Sequence, residues 1–205
     1  MTTTPLILGI AGGSGSGKTT FAELVIARLG AANVLLLQHD AYYKDISKLS
    51  FKKRAESNFD HPGALDTALL AEHLAALKAG KTVQQPVYDF TRHLRTGKTV
   101  RLEARPFIVV DGILILSEPS LREQMDLRIF VDVDSAIRLD RRLLRDVAER
   151  GRTMESVREQ WFATVHPMFR EYVEPSKRHA DLIVPFVTIN ERAAEVVAGY
   201  CATRK

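Results

Sequence analysis

The sequence has 205 residues and a single cysteine, Cys201, so an internal disulfide cannot form and a reducing compartment is expected. It contains no apolar run near the roughly 20 residues that a membrane-spanning helix needs. The N-terminus lacks both the basic region and the long apolar region of a signal peptide. Internal repeats and low-complexity segments are absent too. These absences predict a cytoplasmic globular protein of one domain without a membrane partner.

Charge and nucleotide-switch signals are also weak or missing. The net charge of +4 suits an anionic ligand but is too small to indicate a nucleic-acid partner. An Asn-Lys-x-Asp motif, which a GTP-dependent switch would carry, is absent. With 45% hydrophobic and 26% charged residues, the composition is ordinary for a globular chain that buries a substantial core.

Apolar segments typical of buried strands alternate with segments of helical periodicity. We predict strands at 6–10, 33–38, 106–110, 127–133 and 180–186. We predict helices at 19–29, 65–80 and 190–203, and two charged helices between 134 and 172 that join near Gly151. This alternation predicts an α/β fold, a parallel sheet with helices on both faces. Ligands of such folds bind beyond the carboxyl ends of the strands.

The segment 81–103 breaks this alternation because it contains only strand-like pieces. The sequence "RTGK" at 95–98 is a turn signal, so we interpret about 81–104 as a β-hairpin inserted into the main sheet. With a helical lid at about 138–160, the prediction is one domain over 1–205.

Between the first strand and the first helix the sequence matches G-x-x-x-x-G-K-[ST], the P-loop pattern. Glycines let the backbone curl so that its N–H groups point at phosphate oxygens, and the next helix adds its positive N-terminal end. Lys18 can reach the β- and γ-phosphates, and Thr19 can offer a hydroxyl to Mg²⁺. The predicted phosphate-binding residues are Gly12, Gly13, Ser14, Gly15, Ser16, Gly17, Lys18, Thr19 and Thr20.

Two aspartates follow predicted strands and should lie beside this loop. Asp111, in "FIVVDG", stands where a Walker B carboxylate would complete a metal site; the alternative is a turn-forming Asp-Gly pair. Asp40 ends the apolar run "VLLLQHD" and could accept a proton from an attacking hydroxyl; the alternative is a helix or turn cap.

Two further segments, "NFDHP" at 58–62 and "PVYDFTRH" at 86–93, combine aromatic rings, carboxylates and histidine. Rings can stack on a planar base, and carboxylates can accept hydrogen bonds from a sugar diol. We therefore interpret them as an acceptor pocket. The alternative is that Phe59, Tyr88 and Phe90 belong to the core.

A group of arginines follows the fourth core strand. Arg138, Arg141, Arg142 and Arg145 share one face of a predicted helix, and Arg150 and Arg152 flank Gly151. A mobile arginine-rich cover can stabilise charge during phosphoryl transfer. The alternative is a solvated basic face paired with Asp140, Asp146 and Glu149.

Taken in order, "GIAGGSGSGKTT", "QHDAYYK", "NFDHPGALD", "PVYDFTRHLR", "VVDGIL", "FVDVDSAIRLDRRLLRDVAERGR" and "PSKRHADLIVP" resemble the uridine kinase (uridine–cytidine kinase) family. The resemblance runs from about 6 to 190. It implies a P-loop kinase that uses Mg²⁺ to transfer the γ-phosphoryl group of ATP or GTP to the 5′-hydroxyl of uridine or cytidine. It also implies a homo-oligomer, often a tetramer.

By position, the resemblance implies a role for each matching residue. Lys18, Asp40, Arg142 and Arg145 would be catalytic, with Asp40 the general base, and Arg150 would contact the donor. Thr19 and Asp111 would hold the metal with Asp40 nearby. The acceptor would contact Asp40, Tyr43, Phe59, Asp60, Tyr88, His93, Arg142, Arg152 and Gln160, with Asp60 at the ribose and His93 at the pyrimidine 4-substituent.

The sequence departs from the family pattern at several positions. The family usually has Glu-Gly where this chain has Asp111-Gly112, and "PFVTIN" lacks the family's Arg-Gly-rich turn. Two alternatives stay open. One is a P-loop kinase of another small alcohol, such as nicotinamide riboside, ribulose phosphate or pantothenate. The other is a non-enzymatic nucleotide-binding regulator.

Overall fold

The computed structural model describes residues 4–204, and its centre is a parallel five-stranded sheet. The strands of this sheet are β1 (Leu6–Ala11), β2 (Val34–Gln38), β5 (Phe107–Asp111), β6 (Leu127–Asp132) and β7 (Leu182–Pro185), in the order β2-β5-β1-β6-β7. Every pairing between them is parallel. The predicted α/β fold class is confirmed. β3 (Val83–Asp89) and β4 (Leu94–Leu102) form a separate antiparallel hairpin.

Helices connect the strands. The α-helices are α1 (Lys18–Leu29), α2 (Phe51–Ala55), α3 (Thr67–Lys78), α4 (Pro119–Arg122), α5 (Ser135–Arg150), α6 (Met154–Gln160), α7 (His166–Met168), α8 (Glu174–Ser176) and α9 (Glu191–Ala202). Short 3₁₀ turns lie at Ala31–Asn33, His39–Tyr42, Pro62–Ala64 and Lys177–His179. π-Helical turns at Trp161–Val165 and Phe169–Val173 join α6, α7 and α8. Within 4–204, no helix is long and apolar enough to cross a membrane.

The sheet is buried on both faces, which explains why its strands are apolar throughout. Successive side chains of a strand point to opposite faces. Ile7 packs into a cluster with α3 and the hairpin, while Leu8 and Ile10 pack into a second cluster with α1 and α9. Because β1, β2 and β5 are parallel, their carboxyl ends lie at the same edge of the sheet. The polar residues predicted to form the site follow these strand ends.

The hairpin differs from the sequence prediction in two respects. Its turn lies between Asp89 and Leu94, so the turn predicted at 95–98 is wrong, and those residues continue β4. The side chain of Asp89 makes this turn because its Oδ1 accepts from Thr91 N at 2.9 Å and from Arg92 N at 3.1 Å. His93 completes the turn with a left-handed φ of 49°. The hairpin is also its own two-stranded sheet and adds no strand to the main one.

The helical segment after β6 breaks where the sequence predicted. Gly151 caps α5 in the left-handed conformation, with φ 62°, and its N–H donates to Asp146 O. The second helix, however, continues beyond 172 through two π-helical turns to Ser176. π-Helical turns often occur at functional sites.

Candidate active site

The phosphate loop connects β1 to α1 and is closely covered by α5. Gly15 and Gly17 have φ values of 81° and 85°, which side-chain-bearing residues rarely adopt. A Cβ on Gly15 would collide with the backbone oxygen of Arg138, and one on Gly17 would lie 2.7 Å from the Phe186 ring. These glycines therefore provide both the curl of the loop and the room for its neighbours.

A cleft of about 440 Å³ opens beside this loop. It is lined by Gly15, Gly17, Lys18, Thr19, Thr20, Gln38, Asp40, Phe90, Asp111, Gly112, Arg141, Arg145 and Arg150. The cleft therefore unites one end of the P-loop, the two predicted aspartates and three of the predicted arginines. Gly12, Gly13, Ser14 and Ser16 belong to the same loop but do not line the cleft.

Thr19 and Asp111 contact each other in the lining of the cleft. Thr19 Oγ1 donates to Asp111 Oδ2 at 2.7 Å, whereas Asp111 Oδ1 is buried and has no hydrogen-bond partner among residues 4–204. Burial raises the pKa of Asp111, and the positive charge of Lys18 opposes that rise. An unpaired carboxylate oxygen beside a hydroxyl fits Mg²⁺, which binds few protein ligands and completes its shell with phosphates and water. Within 4–204, no three His, Cys, Asp or Glu side chains form a protein-only metal site.

Asp40 lies in the 3₁₀ turn that follows β2, on the wall of the cleft. The cap residue of this turn is Gln38, and no side chain makes a cap hydrogen bond, so the cap interpretation of Asp40 gains no support. His39 is the first residue of this turn and is fully buried, and burial lowers the pKa of its side chain to about 4. A Cβ on Gly112 would lie 2.5 Å from His39 Cβ, so only glycine lets these two strand ends pack together.

A cluster of aromatic rings packs next to the cleft. The Tyr43 ring lies 5.2 Å from Phe59 and 5.1 Å from Tyr88, and His93 stacks on Phe59 at 5.3 Å. Phe90 contacts Tyr88 at 5.1 Å and also lines the cleft, which links the two regions. Phe90 is 50% exposed, so it is not a core residue, whereas Tyr43 and Tyr88 are buried.

Two polar groups among these rings are buried. Asp60 is only 8% exposed; burial raises its pKa, Arg142 opposes the rise, and Asp40 adds to it. The Tyr88 hydroxyl is shielded from solvent without a hydrogen-bond partner, and burial raises its pKa to about 12. Unpartnered buried polar groups are costly and often serve a ligand.

Arg95 of β4 ties the hairpin to the segment that carries Tyr43. Its guanidinium donates to Tyr43 O at 2.8 Å and Tyr42 O at 3.0 Å, and it forms an ion pair with Asp66 at 3.1 Å. The sequence analysis missed this contact because it placed Arg95 in a turn.

Arg138 and Arg141 brace the phosphate loop instead of facing solvent. Arg138 is buried, lies 3.7 Å from the Phe169 ring centroid, and donates to Ser14 O at 3.4 Å. Arg141 donates to Ser16 O at 3.2 Å and also reaches the backbone after β7. The solvated-face interpretation is therefore wrong for these two arginines.

The remaining arginines converge on Asp146, which is fully buried. Ion pairs join its carboxylate to Arg142 at 3.5 Å, Arg145 at 2.8 Å, Arg150 at 3.5 Å and Arg152 at 3.7 Å. Arg142 also donates to Ser14 Oγ at 2.6 Å and to Gln160 Oε1 at 2.9 Å. Gln160 Oε1 accepts from Arg152 as well. The sequence analysis treated Asp146 only as a charge partner on a solvated face, and its burial was not expected.

A family model described as "Phosphoribulokinase / Uridine kinase family" matches residues 7–193 of this chain. A uridine kinase of Chloroflexus aurantiacus is 51% identical over 197 residues, covering 96% of this chain and 94% of the relative. A uridine kinase of Ligilactobacillus salivarius is 45% identical over 193 residues, covering 94% and 91%.

Among solved structures, the phosphoribulokinase of Rhodobacter spheroides matches with a TM-score of 0.64 at 17% identity, covering 89% of this chain and 70% of that chain. At this identity the match supports only the fold, a P-loop kinase sheet.

Proposed function

This chain belongs to the phosphoribulokinase/uridine kinase family, and from that premise we propose that it phosphorylates a pyrimidine ribonucleoside. The reaction transfers the γ-phosphoryl group of ATP or GTP to the 5′-hydroxyl of uridine and/or cytidine, giving UMP or CMP. The observation that carries the proposal is the cluster of aromatic rings with the buried Asp60, joined through Phe90 to the phosphate cleft. The uridine kinases that share about half of its residues support it.

On the donor side, the P-loop amides and Lys18 would hold the triphosphate. Thr19 and Asp111 would hold Mg²⁺ with Asp40 nearby, and the unpaired Asp111 Oδ1 supports this assignment. Bound there, the ion neutralises charge on the β- and γ-phosphate oxygens. Arg145 and Arg150 reach the same cleft and would stabilise the charge that develops during transfer.

On the acceptor side, the base would lie among Tyr43, Phe59, Tyr88 and His93, and Asp60 would accept hydrogen bonds from the ribose diol. Asp40 would take the proton of the 5′-hydroxyl as that oxygen bonds to the γ-phosphorus. The bond from the γ-phosphorus to the bridging oxygen then breaks, and ADP or GDP leaves. Arg142, Arg152 and Gln160 would contact the acceptor from the lid, and their mutual hydrogen bonds support a joint role.

The stacked rings favour a planar base over a sugar phosphate or a pantoyl group. A non-enzymatic regulator would have no need for Asp40 between a phosphate cleft and a base-sized pocket. We further propose a homo-oligomer, a tetramer as in the family, and a cytoplasmic location, which suits a chain with one free cysteine.

The deciding experiment measures Mg²⁺-dependent ADP release from ATP with each of several acceptors. The panel holds uridine, cytidine, deoxycytidine, adenosine, nicotinamide riboside, ribulose 5-phosphate and pantothenate. Release with uridine or cytidine alone is expected. Release with a different acceptor would retain the phosphate machinery but overturn the assignments at Phe59, Asp60, Tyr88 and His93. Binding of ATP without release for any acceptor would overturn the kinase proposal.

A further inference from the structure

Asp146 is the least expected charged residue of the lid. It lies on α5, and its side chain has no solvent exposure. A buried carboxylate needs compensating partners, and one or two guanidinium groups would be sufficient. Here four arginines surround it: Arg142, Arg145, Arg150 and Arg152. This excess indicates that the function of the carboxylate is to hold the arginine side chains in place.

The four arginines connect Asp146 to the phosphate cleft on one side and to the P-loop and Gln160 on the other. Arg145 and Arg150 line the phosphate cleft. Arg142 reaches the P-loop at Ser14, and Arg142 and Arg152 both donate to Gln160. A single carboxylate thus contacts all four of these lid arginines.

The backbone of Asp146 fixes the lid as well. Its carbonyl oxygen accepts from Gly151 N and from Arg152 N, the latter at 3.2 Å. These bonds set the end of α5 and the direction in which the chain leaves it. Four guanidinium groups so close together repel one another, and the shared carboxylate offsets that repulsion.

We propose that Asp146 is a positioning residue that assembles the four lid arginines before the substrates bind. The inference rests on the proposed function, because it assigns these arginines to phosphoryl transfer. Cations that are ordered in advance need no reorganisation when charge develops in the transition state. Asp146 itself touches no reacting atom.

The first test compares Asp146→Asn with Asp140→Asn. Both remove one negative charge from α5 by the same substitution, but Asp140 is exposed. With uridine and ATP, Asp146→Asn should lower kcat at least roughly 10-fold, because the four arginines lose the carboxylate that holds them together. Asp140→Asn should keep the wild-type kcat. Equal kcat values for the two variants and the wild type would overturn the inference.

A second variant separates positioning from mere stabilisation. Asp146→Glu keeps the charge but moves the carboxylate by one methylene group. When kcat is measured well below the melting temperature of the variant, positioning predicts a reduced kcat, whereas a purely structural role predicts an unchanged kcat. This variant decides the question even where Asp146→Asn fails to fold.

A third readout does not depend on turnover. Hydrogen exchange in peptides from 142–160 should be faster in Asp146→Asn, or in Asp146→Glu, than in Asp140→Asn and the wild type. Unchanged exchange would overturn the inference. A wild-type enzyme that transfers to neither uridine nor cytidine would overturn the proposed function, and exchange would still test the positioning role. If the wild type transfers normally and the Asp146 variants have the same kcat, only the inference about Asp146 would be overturned.

Discussion

The donor side and the acceptor side of this site are built in different ways. The P-loop is one contiguous segment between β1 and α1, and Asp111 at the end of the neighbouring strand β5 joins it. The acceptor pocket draws on separate segments: the turn after β2, the loop with Phe59 and Asp60, and the hairpin. Side-chain contacts such as those of Arg95 hold these segments together.

This difference predicts different mutational effects. Changes on the donor side should affect transfer to every acceptor. Changes among the supports of the acceptor pocket should raise the KM for the nucleoside and leave the KM for ATP alone. Asp40 lies between the two sides, so its loss should affect the chemical step itself.

The largest effect is expected for Lys18→Ala. The triphosphate loses its pairing charge, so transfer to any acceptor should fall below detection, a loss of at least about 10³-fold in kcat/KM. Lys81→Ala, which removes an exposed lysine before β3, is the matched control and should behave as the wild type. ADP release over the acceptor panel is the measurement. Substantial activity in Lys18→Ala would contradict the P-loop assignment.

Asp40→Asn should have the next largest effect. It removes the proton acceptor but preserves the shape of the side chain, so kcat should fall roughly 10²-fold or more while ATP affinity is retained. Asp45→Asn is the control, since Asp45 is exposed and its carboxylate only accepts from Ser47. Steady-state kinetics and calorimetric ATP binding check the prediction. A turnover near that of the wild type would remove Asp40 from the role of general base.

Arg95→Ala tests the support of the acceptor pocket. It removes the hydrogen bonds to Tyr42 O and Tyr43 O and the ion pair with Asp66, so the KM for the nucleoside should rise about 10-fold. The KM for ATP should stay within about twofold. Arg101→Ala is the control on the same strand, because Arg101 is exposed and pairs only with the exposed Glu103. Equal rises in both KM values would erase the distinction between the two sides.

Local patterns predicted the central strands and the position of the P-loop. The central strands are apolar throughout because both faces of the sheet are buried, and the glycine spacing of the P-loop follows from its curl. These features depend on neighbours in sequence. Ligands of parallel sheets bind at the carboxyl ends of the strands, so the sequence alone predicts that Asp40 and Asp111 lie at the same edge.

The acceptor side and the lid were predicted less well because their geometry depends on distant contacts. The hairpin turn was predicted at 95–98, yet these residues lie within β4, and the turn made by the Asp89 side chain lies between Asp89 and Leu94. Asp89 followed by Thr91 was a usable signal, since aspartate side chains commonly bond the backbone two residues on. The burial of Arg138 and Asp146 could not be inferred from helical spacing, which does not show what covers a helix face.

The smallest effect is expected for substitutions at two tyrosines that differ in whether the side-chain hydroxyl has a hydrogen-bond partner. The Tyr42 hydroxyl lies 3.0 Å from His73 Nδ1, whereas the Tyr88 hydroxyl is buried without a partner. Tyr42→Phe should therefore lower the melting temperature and leave the KM for the nucleoside unchanged. Tyr88→Phe removes no internal bond, so the melting temperature should be retained or slightly raised.

Where the Tyr88 hydroxyl serves the nucleoside, Tyr88→Phe should raise the KM for uridine by about 2- to 10-fold, the contribution of one neutral hydrogen bond. The pair of variants thus separates a tyrosine of the core from a tyrosine of the pocket. Thermal unfolding and steady-state kinetics on both variants provide the four values needed. A lower melting temperature with an unchanged KM in Tyr88→Phe would assign Tyr88 to the core, and the ring cluster would then lose its one unpaired hydrogen-bonding group toward the acceptor.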